Sequence, residues 1–143
     1  MEFQPDIFVR GPEGLSLVVE AKTSIGNLTA TEEELKRYMS GMNCSTGALI
    51  TPERMWLYRD QFTSMSPESV HRIGEFDMAG IWQQQPPTDP TSFELFVQQW
   101  LELVAYQAVV NPPRYLPQAM RDYIVPAVVG ADIRAAHPRT FAF

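Results

Sequence analysis

The chain has 143 residues, of which 45% are hydrophobic and 20% charged. That is the size and balance of one ordinary globular domain, and it excludes a wholly disordered polymer. A formal charge of −6 argues against sequence-independent wrapping of nucleic acid, which needs a basic surface to release counterions, but it leaves local patches open.

In chain order, residues 3–10 read as a strand, Gly11, Pro12, Glu13 and Gly14 as a turn, and residues 15–22 as a second strand, which together make a hairpin. Its register decides which side chains meet. If all four turn residues form the loop, Arg10 opposes Leu15, Asp6 opposes Val19, and Glu20 points to the other face from Asp6. A three-residue loop opposes Gly11 to Leu15 and Asp6 to Glu20. It collects Asp6, Phe8, Arg10, Ser16, Val18, Glu20 and Lys22 on one face. The other face, Ile7, Val9, Leu17, Val19 and Ala21, is then wholly apolar. Hydrophobic partition therefore favours this second register, with a G1-type bulge at one of the glycines supplying the extra residue.

A helix follows. Thr31 and Glu34 form a capping-box pair, Leu35, Tyr38, Met39 and Met42 make an apolar stripe, and Glu32, Glu33 and Glu34 occupy the first turn. Gly41 and Asn43 can end it. Residues 47–51 and 55–59 read as two strands joined at Pro52 and Glu53. Residues 60–90 are poorly patterned, with Glu75, Phe76 and Asp77 touching a sheet edge. A helix over 91–107 starts from Thr91 or Ser92 and repeats Phe93, Phe96, Val97, Trp100, Leu101 and Val104 at helical spacing. A shorter helix spans 115–123 and stops before Pro126. The tail, with Asp132 to Ala135 and a final Phe-Ala-Phe, either docks as a strand or stays loose. The expected organisation is one domain over 1–143: a core at 3–60, an irregular segment at 61–90 and a helical region at 91–143.

Pro5-Asp6, a 13-residue gap, and Glu20-Ala21-Lys22 on a hairpin before a capped helix resemble the PD-(D/E)XK nuclease superfamily. The resemblance covers roughly residues 4–60, and the stretch from Gly47 to Tyr58 is similar to the strand-turn-strand after the helix in many restriction endonuclease-like proteins. It implies an α/β, restriction endonuclease-like core: a mixed central sheet flanked by helices, here with extra C-terminal helices. It also implies hydrolysis of DNA with Mg²⁺, or Mn²⁺ in its place. Asp6, Glu20 and the Ala21 carbonyl would hold the ion, and Lys22, on the same strand face as Glu20, would position or help deprotonate the attacking water. Many exonuclease-like members carry Gln-x-x-x-Tyr on the following helix. Here the stretch runs from Glu34 to Tyr38, which makes Lys36, Arg37 and Tyr38 the expected substrate contacts. Many members also place a further glutamate on a helix before the first strand. That helix is missing ahead of this motif, so another subunit, Glu94 or Glu102 of the later helix, or residues outside this sequence would supply its carboxylate.

The plainer reading of Asp6, Glu20 and Lys22 is a solvated polar hairpin face. The corresponding alternative function is a catalytically inactive nuclease-fold module that binds a protein or nucleic acid partner, with the aromatic C-terminal region as an interface for a homodimer or larger complex. Other residues carry less chemistry. Cys44 excludes an internal disulfide framework and reads as a small, partly buried residue. His71 and His137 lack metal-ligand spacing. Only Trp82, beside Gln83 and Gln84, reads as free to stack on a base. No apolar run approaches the ~20 residues needed to span a bilayer, and Glu2 and Asp6 stand where a signal peptide would be basic and apolar. The expectation is a cytoplasmic protein with no membrane partner.

Overall fold

The computed structural model describes residues 3–111 and 113–136. His137 and the final Phe-Ala-Phe lie outside the described residues. The protein is α/β, built on one mixed sheet flanked by helices. β1 (Ile7–Gly11) and β2 (Gly14–Ala21) form the hairpin. After α1 (Leu28–Met42), β3 (Thr46–Ile50) runs parallel to β2, and β4 (Arg54–Asp60) turns back antiparallel. A 3-10 turn (Pro67–Ser69) leads into β5 (Val70–Asp77), and β6 (Asp132–Ala135) closes the opposite edge, giving the order β5-β4-β3-β2-β1-β6.

Segment 61–90 is thus not merely irregular. β5 pairs with β4 along its whole length, from Asp60↔Val70 to Arg54↔Asp77. Its exposed His71, Arg72 and Glu75 hide the strand from a search for apolar alternation, as edge positions commonly do. The tail likewise docks, with Ile7↔Ala135 and Arg10↔Asp132 covering the free side of β1.

The helices start earlier than their apolar stripes. Asn27 caps α1, its Oδ1 accepting from Ala30 N at 3.1 Å, so Thr31 is not the cap and Glu32, Glu33 and Glu34 fall beyond the first turn. Asn43, with φ of 56°, ends the helix, while Gly41 stays inside it. Asp89 caps α2 (Pro90–Val110) through Ser92 N at 3.0 Å, and Pro90 fits the first turn because it has no N–H to leave unpaired. The shorter helix does end before Pro126, but it starts at Gln118 and a further short helix follows it. α3 (Gln118–Tyr123) passes through Ile124 into α4 (Val125–Val128), where Pro126 again occupies a first-turn position.

α1 covers one face of the sheet by burying Leu35 and Met39 against Val18, Leu49, Trp56 and Tyr58. A Cβ on Gly47 would meet Met39 Sδ at 2.5 Å, so any side chain here would have to displace the Met39 thioether. Glu32 turns inward from α1 and accepts the Tyr58 hydroxyl and, at 2.7 Å, Arg72 Nε, fastening the helix to β4 and β5. The other face carries Ile7, Val9, Leu17, Val19 and Ala21 and is covered by Phe93, Val97, Leu101 and Val104 of α2 together with Met120, Ile124 and Val128. Among the described residues, no helix is long and apolar enough to cross a membrane.

Candidate active site

The hairpin ladder starts at the turn with Gly11↔Gly14 and Arg10↔Leu15, then slips by one residue to Val9↔Leu17, Phe8↔Val18 and Ile7↔Val19. Both registers weighed from the sequence are therefore present, one on each side of a bulge. The extra residue is Ser16, not a glycine. Gly14, with φ of +117°, serves the two-residue turn instead. Ser16 also leaves the Asp6 face. It points, like Leu17, toward the other side, where its Oγ lies 3.0 Å from the Ala127 carbonyl of α4.

The ladder ends at Ile7↔Val19, and Asp6, at a bend one residue before β1, lies beside the end of β2, where its carboxyl meets that of Glu20. Asp6 N donates to Val19 O at 3.0 Å, and Ala21 N donates to Asp6 Oδ2 at 2.9 Å, which pins the carboxylate against β2. Lys22 N donates to Ile50 O at 2.9 Å. The strand geometry so continues past β2, and Lys22 keeps the facing of Glu20. Its Nζ stands 3.6 Å from Asp6 Oδ2 and 3.7 Å from Glu20 Oε1, with the side chain 46% exposed beside two buried carboxylates.

A third carboxyl joins them. Glu94, in the second turn of α2, hydrogen bonds Asp6 and acts electrostatically on Glu20 and Lys22. Glu102, the other acid considered on this helix, is exposed and lies eight residues on, ~12 Å further along the axis. Periodicity alone flags neither. Glu94 follows the buried Phe93, and only the docking of α2 turns it toward the hairpin.

Burial drives the electrostatics. It pushes the Glu20 carboxyl up to about 9, reinforced by the neighbouring Asp6. Burial also works to raise Asp6, but hydrogen bonds from Glu20 and Glu94, the Lys22 charge and the Ala21 N–H outweigh it and hold Asp6 below its usual value. Two adjacent buried carboxylates resist ionising together, which separates them: Glu20 upward and Asp6 downward. Burial works to lower Lys22, but Asp6, Glu20 and Glu94 outweigh it and keep the ammonium charged.

This donor set suits a hard divalent ion. Glu20 Oε1 is buried without a hydrogen bond, and Lys22 at 3.7 Å is too far to make one. In a strand, the N–H and C=O of one residue point to the same side, so Ala21, whose N–H reaches Asp6, turns its carbonyl the same way. Among the described residues, no three His, Cys, Asp or Glu side chains are drawn together closely enough to hold a metal ion. The oxygen donors present are the Asp6 and Glu20 carboxylates and the Ala21 carbonyl, with the Glu94 carboxyl acting on both acids.

The proposed substrate contacts lie apart from this group. Tyr38 stacks on Phe8 at 6.1 Å and meets Phe3 edge-on at 6.0 Å. Arg37 is exposed and lines, with Tyr38, Phe3, Gln4 and Glu34, a separate surface hollow of about 620 Å³. Lys36 is half-buried on the same helix. Trp82 is not free to stack on a base: its Nε1 donates to Pro52 O at 2.8 Å, and its ring packs edge-on against Phe93, Phe96 and Trp100.

No protein family, curated protein or solved structure matches the chain. With no relative to carry a role across, function rests on the geometry of this chain.

Proposed function

We propose that this protein is a Mg²⁺-dependent hydrolase of DNA phosphodiester bonds, built on a restriction endonuclease-like core of the PD-(D/E)XK kind and acting in the cytoplasm. The observation that carries this reading is the convergence of the buried Asp6 and Glu20 carboxylates on the Lys22 ammonium, at 3.6 and 3.7 Å. Asp6, Glu20 and the Ala21 carbonyl would hold Mg²⁺, or Mn²⁺, which when bound polarises the phosphate and acidifies a coordinated water. Lys22, half exposed at the mouth of the site, donates a hydrogen bond to the attacking water and offsets the charge that builds on the phosphoryl oxygens. Glu94 holds Asp6 in place.

The test is cleavage of labelled single-stranded and duplex DNA by the purified chain in Mg²⁺ or Mn²⁺, beside Asp6→Ala and Lys22→Ala. Metal-dependent cleavage that falls about 100-fold or more in both variants supports the reading. No cleavage of any DNA form at high protein and metal concentration overturns it. A second reading, an inactive nuclease-fold module that binds a partner, is favoured by the charge of −6 and by Lys22, which already neutralises part of the acidic group. That reading expects no cleavage and no ion at Asp6 and Glu20 in crystals soaked with Mn²⁺.

A further inference from the structure

A groove of about 590 Å³ opens at the end of the sheet that carries the carboxylates. Its near wall is Thr23, the residue after Lys22, so the two Cα atoms are ~3.8 Å apart. Its floor is Pro52, just past β3, the strand paired with β2. Its far wall is residues 83–88, the segment that runs into the Asp89 cap of α2 and so toward Glu94. Trp82 anchors this wall through Pro52 O and its aromatic packing, leaving Gln83, Gln84 and Gln85 exposed.

The chemistry of the lining is selective. Among the described residues, it contains no lysine or arginine, and Glu53 is its one ionisable group. A phosphate would find no counter-charge here. The glutamine amides each offer donors and an acceptor, which match the edge of a planar, uncharged heterocycle, and the half-buried Pro86 and Pro87 offer flat apolar surface for its face. The volume lies within the ~300–1,000 Å³ of small-molecule sites.

We infer that this groove seats an unpaired nucleobase next to the scissile phosphate, so that the substrate is single-stranded DNA or a strand with a displaced base. The inference rests on the hydrolase reading of the adjoining carboxylates. A base held in a duplex cannot present its edge and face to such a groove without leaving the stack. Recognition by amides also suits an acidic protein, because it draws little of its affinity from phosphate contacts.

The experiment measures binding and cleavage separately. Fluorescence anisotropy in Ca²⁺ compares a 12-nucleotide single strand, the same strand made fully abasic, and a 12-base-pair duplex. Each is tested on the wild-type chain and on a Gln84→Ala/Gln85→Ala double variant, and cleavage in Mg²⁺ is run in parallel. The wild type is expected to bind the base-bearing strand at least 10-fold more tightly than the abasic strand or the duplex. The double variant should lose most of that preference while its abasic binding is unchanged. Circular dichroism establishes that the variant is folded, as expected for exposed loop residues. Wild-type cleavage without preference for base-bearing single strands, or a folded double variant with unchanged preference, overturns the inference and leaves the hydrolase reading standing. No cleavage of any DNA by the wild type overturns both.

Discussion

Ser16 Oγ lies 3.1 Å from the carbonyl oxygen of Val9, at the step where the hairpin register slips by one residue. Beyond that slip Ile7 faces Val19, which leaves Asp6 against the end of β2, where Ala21 N donates to its carboxylate. Arg10↔Leu15 and Val9↔Leu17 flank the extra residue, so deleting Ser16 leaves these pairs adjacent in an unbulged ladder, with Ile7 still facing Val19 and Asp6 still beside Glu20. The deletion variant is expected to fold and to bind Mg²⁺ like the wild type in calorimetry. It should melt roughly 3–5 °C lower for the loss of about 1 kcal/mol of hydrogen bonding to Ala127. A folded deletion variant that no longer binds Mg²⁺ would contradict this account of the register.

Lys22 stands where its charge competes with a metal for the same two carboxylates. Lys22→Met should therefore separate binding from turnover. Mg²⁺ is expected to bind more tightly than to the wild type, while cleavage falls about 100- to 1,000-fold with the loss of the charged donor. Weaker Mg²⁺ binding in this variant would show that the ammonium supports the ion and does not compete with it.

In the presence of a chelator, Glu20 should govern the response to pH. Burial first, and then Asp6, push its carboxyl from 4.5 up to about 9, so between those values the folded protein keeps a proton that the unfolded chain releases. The contribution to stability is thus complete below pH 4.5 and is lost as the pH rises toward about 9. Glu20→Gln keeps the shape without the titration. It should stabilise the protein at pH 8 by at least about 1.4 kcal/mol, the worth of one pKa unit, and flatten the melting profile between about pH 5 and 8. A variant less stable than the wild type in EDTA at pH 8 would show that the carboxylate is satisfied as it stands.

Glu94 and Glu102 give an internal comparison on one helix. Glu94→Gln removes a carboxyl that acts on Asp6, Glu20 and Lys22, and is expected to weaken Mg²⁺ binding about 10-fold or more. Glu102→Gln, at an exposed position, should leave it unchanged. Equal effects from both substitutions in calorimetry would mean that Glu94 acts only through overall charge.

The hairpin, its register and the facing of Asp6, Glu20 and Lys22 were legible because they follow from local rules. Strand alternation allows one apolar set, Ile7, Val9, Leu17, Val19 and Ala21, and burying that set places Ile7 opposite Val19, with Asp6 one residue before it. The device that achieves it was not legible, since a bulge at Ser16 is held by a carbonyl of α4, 111 residues away in the chain. β5 was missed because its exposed charged positions conceal a strand that only its ladder to β4 defines. Trp82 looked exposed among glutamines, yet Phe93, Phe96 and Trp100 collect it once α2 has docked.

The sequence by itself determined which face of the hairpin would be polar, because hydrophobic burial is a property of alternating residues close together in the chain. Only the tertiary structure decided what stands beside that face: Glu94 from α2, and a groove without lysine or arginine that residues 83–88 help to line. Contacts between elements 70 residues apart depend on how whole helices and loops settle on the sheet, and no local pattern encodes that.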